Sequence, residues 1–168
     1  MTILAIDPGF VMSGVVVYNP SASVVDALHL ENAKVLDLLR GRWDTAVAIE
    51  GMTNQDARAG GEVIETCVWI GRFVQACEER GLPWHIVPRS KVKSHFKARN
   101  DADIRAAILD KYGPQFDKRV VERTGKKGQP LKPKTVRVPL LTSQLSNHTW
   151  AAFALASYVV TEGDRGSR

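Results

Sequence analysis

The chain predicts an α/β fold built on a mixed sheet of five short strands. Three observations predict it. Three β-branched runs, residues 2–7, 13–18 and Val24–Leu30, follow one another across short turns, which is the spacing of an antiparallel meander. The apolar run Thr45–Glu50 comes after a helical stretch, which makes it a parallel, buried strand, and Pro83–Val87 supplies a fifth. Between and after these runs the apolar residues recur with helical period.

Each element has its own signals. Ile3–Ile6 is continuously apolar, ends on Asp7 and is turned by Pro8-Gly9. Asn32–Leu39 carries Ala33, Val35, Leu36, Leu38 and Leu39, enough for a short helix. Glu50 and Gly51 end the fourth strand, and Gly51–Gly61 reads as a polar loop. From Glu62 the pattern is helical, with Val63, Cys67, Ile70, Gly71, Val74 and Cys77 on one face and Gly81 as its stop. Gly71 inside this helix suggests close packing against a neighbour, since glycine there costs about 1 kcal/mol relative to alanine. Trp69, Trp84 and Trp150 read as core residues, and Phe73 and Val74 as core or as a seam between two copies. Arg89–Lys97 reads as a short helix, and Asn100 or Asp101 caps a helix over Ala102–Tyr112. Residues 115–143, with Gly125-Lys126-Lys127-Gly128 at their centre, are polar and basic with no evident core, and read as a loop that orders on a ligand or as disorder. An Ala-rich helix over Asn147–Thr161 closes the chain.

The 168 residues, 44% hydrophobic, suit one domain over residues 1–168 with a basic loop at about 114–143. No apolar run reaches membrane-spanning length and no signal pattern opens the chain, so a cytoplasmic protein is expected. Cys67 and Cys77 fit no zinc spacing and read as buried small hydrophobes. Net charge is +5, unevenly spread: His85–Arg137 holds fifteen Lys and Arg against five Asp and Glu, and the remainder eight against thirteen. An acidic body with a basic arm points to a polyanion, nucleic acid first. Lys91, Lys93, Lys97, Arg99, Lys126 and Lys127 are the candidate phosphate contacts.

Asp7 ends the first strand and Glu50 the fourth. If those strands are neighbours, two carboxylates stand side by side and repel unless a cation sits between them. Oxygen ligands alone suit Mg²⁺ or Mn²⁺, and two such ions can drive phosphodiester hydrolysis. The plainer readings are a turn cap for Asp7 and a helix-approach acid for Glu50.

Ile6-Asp7-Pro8-Gly9, the Ser13-Gly14 that opens the second strand, Ala48-Ile49-Glu50-Gly51 and the last helix, His148-Thr-Trp-Ala-Ala-Phe-Ala-Leu-Ala, together resemble the RuvC-type Holliday junction resolvases, the phage-type branch above all. The resemblance implies a ribonuclease H-like fold: a five-stranded mixed sheet, its first three strands antiparallel, flanked by helices. It implies a bacterial or phage-encoded homodimer that cuts four-way DNA junctions with two Mg²⁺ or Mn²⁺ ions. By resemblance Asp7 bridges the ions and Glu50 ligates one. The last helix of the family offers two more ligands three residues apart; here those positions are His148 and Ala151. His148 can ligate or orient water, Ala151 can do neither, and Asn147 offers only a neutral amide oxygen. An enzyme impaired at its fourth ligand is expected, with a non-cleaving junction-binding protein as the alternative. A sugar-kinase or actin-like ATPase shares the Asp-x-Gly turn, but this chain is too short for its two lobes.

Overall fold

Alternation along the first strand sets the two faces of the sheet. In β1 (Ile3–Asp7), Ile3 and Ala5 point into one layer and Leu4 and Ile6 into the other, and all four are fully buried. A strand apolar on both sides belongs at the centre of a sheet covered on both faces. The computed structural model describes residues 2–21, 24–41, 45–52, 60–114, 116–124, 129–146 and 149–165, and places β1 there. The main sheet has five strands in the order β3-β2-β1-β4-β5, with β2 spanning Met12–Asn19, β3 Val24–Glu31, β4 Ala46–Gly51 and β5 Trp84–Pro88. β1, β2 and β3 are antiparallel; β4 and β5 join parallel to β1. This is the arrangement expected from the sequence.

One layer is made by α1 (Asn32–Arg40) and α2 (Gly61–Arg80). Val35, Leu36 and Leu39 of α1 and Ile70, Phe73, Ala76 and Cys77 of α2 pack on Leu4, Ile6, Val15, Val47 and Ile49. The buried face of α2 is rotated from the one expected. Cys67 is exposed, not buried, and Gly71 faces open space, with nothing within 4 Å of where a Cβ would stand. Phe73 is in the core rather than at a seam, and Trp69, Val74 and Trp84 are half-buried against it.

The opposite layer is α5 (Trp150–Arg165), with α3 (Arg89–His95) and α4 (Asp101–Tyr112) beside it. Ala152 through Ser157 of α5 are fully buried, because alanines at 152, 154 and 156 let the backbone sit close to β1, β2 and β4. Phe153 meets Tyr18 and Tyr112 edge-on at centroid distances of 5.2 and 5.1 Å. The helix runs to Arg165, four residues beyond the expected end, while Asn147 and His148 lie outside the described residues.

The basic segment is where the structure differs most from the sequence reading. It is not a plain loop: β6 (Phe116–Thr124) and β7 (Pro130–Pro139) pair as an antiparallel hairpin, and a 3₁₀ turn at Leu141–Gln144 leads on toward α5. Prolines stand at 130, 133 and 139, a residue type that central strands exclude. A two-stranded ribbon is all edge, however, and Pro133 falls opposite the register shift between Val121 and Arg123, where no ladder bond is lost.

Candidate active site: an acid pair at the ends of two parallel strands

The site is built by register. β1 and β4 run parallel with Ile6 opposite Ile49, so Asp7 and Glu50, each one residue further on, emerge level at the carboxyl ends of the two strands. That end of a parallel pair is where open α/β sheets place their ligands. Gly51 keeps the adjacent strand close: a Cβ there would stand 2.6 Å from Ile86 Cγ2.

The turn after Asp7 is bolted down from behind. Ser13 Oγ donates to Asn32 Oδ1 at 2.6 Å, and both residues are fully buried. Asn32 Nδ2 donates to the Gly9 carbonyl at 2.8 Å, and Asn32 N donates to the Val11 carbonyl at 3.1 Å. Gly9 itself is required, since a Cβ there would run into the Met12 carbonyl. The buried asparagine at the head of α1 therefore fixes the loop that carries Asp7.

The two acids share more than a level. Glu50 is buried, its side chain only 7% exposed. Its carboxyl is pushed up to about 8, first by burial and then by the hydrogen bond and charge of Asp7, with the Arg89 guanidinium pulling the other way.

Two residues the sequence reading did not single out complete the cluster. Arg89, the first residue of α3 directly after β5, donates from Nη1 to Glu50 Oε2 at 2.7 Å and from Nη2 to Asp101 Oδ1 at 2.6 Å. Burial works against its charge, but Glu50 and Asp101 outweigh that and hold the guanidinium firmly protonated. Asp101 opens α4 behind a capping box made by Asn100 and Asp103. The signal that could have found Arg89 was the one that found the acids. It too follows the end of a parallel strand.

Two cavities, each about 160 Å³, meet at the cluster. Asp7, Glu50, Met52 and Arg89 line one; Asp7, Arg89, Asp101, Arg105, Trp150 and Ala151 line the other. The guanidinium of Arg105 lies 5.0 Å from the Trp150 ring centroid. Ala151 thus stands at the site, beside Asp7, where the resemblance puts an acid. Among the described residues no group of three or more His, Cys, Asp or Glu is placed to hold a metal; Asn147 and His148, candidates from the sequence, lie outside those residues.

The remaining candidates are the basic ones. Lys91, Lys97 and Arg99 are exposed and Lys93 half-buried, on α3 and the link from α3 to α4. The helix ends at His95, earlier than expected, because Lys97 takes a left-handed conformation (φ 51°) and closes a Schellman motif, with Ala98 N bonded to the Lys93 carbonyl at 2.9 Å. Lys91 lines a separate cavity of about 410 Å³ with Ser94, His95, Tyr158 and Glu162. Lys126 and Lys127 lie outside the described residues, between β6 and β7. No helix among the described residues is long and apolar enough to cross a membrane.

No protein-family model matches the chain, and no curated protein does. Solved structures do match. A Thermus thermophilus RuvC in complex with Holliday junction substrate superposes with a TM-score of 0.60 at 20% identity, over 99% of this chain and 97% of that one. The fold is that of RuvC. A second Thermus thermophilus RuvC structure superposes equally well, with a TM-score of 0.60 at 18% identity and 97% of each chain covered. The five-stranded mixed sheet with helices on both faces is the ribonuclease H-like arrangement of these RuvC structures.

Proposed function

We propose that this chain is a structure-selective DNA endonuclease that cuts four-way junctions, and other branched DNA, by metal-dependent phosphodiester hydrolysis. The observation that carries the reading is the level, hydrogen-bonded pair Asp7 and Glu50 at the ends of β1 and β4. It occurs on a fold whose solved representatives include a RuvC bound to Holliday junction substrate.

The donor set fits a hard divalent cation. Two carboxylates held together in a buried corner favour such an ion, since it offsets the repulsion between them. Asp7 and Glu50 would hold Mg²⁺ or Mn²⁺, with His148 as a further ligand and Asn147 as a weak neutral one. Two such ions, when bound, supply an activated water and charge stabilisation at the leaving oxygen. The protein supplies the rest. Asn32 and Ser13 keep Asp7 in place. Arg89 balances the acid pair. Lys91, Lys93, Lys97, Arg99, Lys126 and Lys127 hold the DNA backbone without reading sequence. As the resemblance implies, the acting form is a homodimer of a phage-type enzyme in the cytoplasm of a bacterial host. Exposed Ile64 and Val68 on α2 offer apolar surface for that contact.

Ala151 favours one second reading, a junction-binding protein that does not cut. It leaves the site one acid short beside Asp7, which weakens metal binding and misplaces the nucleophile. A gel titration on a synthetic four-way junction and on plain duplex decides, with Ca²⁺ for binding and Mg²⁺ or Mn²⁺ for cutting. Tight junction-selective binding by both the chain and Ala151→Asp, with much faster cutting by the variant, is expected. Binding no tighter than to duplex overturns the junction reading. Selective binding with no cutting by either form leaves the non-cleaving alternative.

A further inference from the structure

Arg89 is hydrogen-bonded to two of these acids at once. Its two terminal nitrogens bond two different carboxylates, Glu50 at 2.7 Å and Asp101 at 2.6 Å. The two partners differ in kind. The Glu50 side chain is 7% exposed and the Asp101 side chain 69%. Both ends of the bridge are fixed by backbone. Glu50 pairs in register with Val87 and Gly51 with Pro88, so Arg89 leaves the sheet two residues past the level of the acid it binds. Asp101 is fixed by the capping box at the head of α4.

A guanidinium forked between two acids can release one and keep the other. We infer that Arg89 is a positioning residue that stands in for the cation: its Nη1 holds Glu50 until a divalent ion arrives, and its bond to Asp101 retains it beside the site once Glu50 is given up. This rests on the reading of Asp7 and Glu50 as cation ligands. It gives Asp101 a definite task. Without Asp101, Arg89 displaced from Glu50 would lose the second of its two carboxylate hydrogen bonds while still largely buried, so displacement would be costly. It also places a positive group on the wall shared by both cavities, beside Arg105, where a DNA phosphate approaching Asp7 would pass.

The test is Mn²⁺ binding to the full chain without DNA, read by paramagnetic resonance of the free ion, for the wild type, Asp7→Asn, Arg89→Gln, Arg89→Lys and Asp101→Asn. Asp7→Asn abolishes binding if the acid pair is the cation site; unchanged binding there overturns the functional reading itself. With that control met, the two arms of the fork give opposite signs. Arg89→Gln removes a positive charge competing for Glu50 and tightens Mn²⁺ binding about tenfold. Asp101→Asn strands Arg89 on Glu50 and weakens it about threefold. Arg89→Lys restores the charge and returns binding toward wild type. A bridge that merely braced the fold would weaken binding in both variants alike, and that result, or no change in either, overturns the inference. Should Arg89→Gln fail to fold, Arg89→Met, which keeps the aliphatic stem, takes its place: tighter binding upholds the inference, and weaker or unchanged binding overturns it.

Discussion

The strand-end cluster and the basic hairpin are built on opposite terms. The cluster is rigid and inward. Its acids sit at the ends of central strands, its loop is tied to a buried asparagine, and no buried side-chain polar atom among the described residues lacks a partner. The hairpin is outward. β6 and β7 pair with each other in a sheet of their own, and Val120, Val121, Lys132 and Lys134 are exposed. Placing a reacting phosphate needs preorganisation to fractions of an ångström. Holding a charged backbone needs only positive charge within reach. The proposed function gives chemistry to the first region and affinity to the second, and that division can be broken at several points.

The largest effect is expected at Asp7. In the Ala151→Asp background, Asp7→Asn should lower single-turnover cutting of a junction at least about 10³-fold, roughly 4 kcal/mol of barrier. Junction binding in Ca²⁺ should stay within about threefold. A matching loss of binding would mean the acid serves the fold rather than the chemistry.

Proton competition comes next. Glu50 is raised from an ordinary 4.5 to about 8 in the metal-free protein. A cation must displace that proton, so Mn²⁺ affinity should climb roughly tenfold per pH unit between pH 6 and 8 and level off above. Stability of the metal-free chain should move the other way. A carboxyl whose folded value is raised contributes fully below its unfolded value, and that contribution is lost as pH rises through about 8. Calorimetric titrations and urea melts across this window check both signs.

The hairpin should respond differently. The double substitution Lys132→Glu with Lys134→Glu should weaken junction binding about tenfold at 0.1 M salt and flatten the salt slope by about two. Cutting at saturating enzyme should not change. A fall in the saturated rate would mean the hairpin reaches the reacting centre.

The smallest effects compare two glycines. Gly9→Ala forces a Cβ onto the Met12 carbonyl and should cost about 2 kcal/mol, as overpacking against fixed backbone does. Gly71→Ala meets open space on α2 and should stabilise by about 1 kcal/mol through helix propensity. Urea midpoints give both. A destabilised Gly71→Ala would show that this face of α2 is covered in solution.

The contrast also explains what could be read from the sequence. Asp7 and Glu50 were legible because each ends a continuous apolar run, and a strand centred in a sheet leaves its last residue at the rim. Ala151 was legible only through the resemblance, and it lines the same cavity as Asp7. Arg89 follows a strand end as the acids do, but its pairing with Asp101 was not legible, because that contact spans twelve residues of chain that no periodicity encodes. The hairpin was missed for the opposite reason. Charged residues and three prolines hid two strands whose pairing depends on each other rather than on a core. The α2 face was misjudged by a fraction of a turn, since its Cys and Gly weighed as apolar while Thr66, buried at 6%, did not. Its hydroxyl escapes the penalty by bonding to the Glu62 carbonyl at 2.8 Å.

The most direct test of the strand-end site as a nuclease centre is strand-resolved cleavage of a synthetic four-way junction. Each strand is labelled in turn, and Ala151→Asp is compared with Ala151→Asp carrying Asp7→Asn. Paired nicks in opposing strands by the first, absent from the second while Ca²⁺-supported binding persists, is the expected result. Equal cutting by both would contradict it and move the chemistry away from β1 and β4.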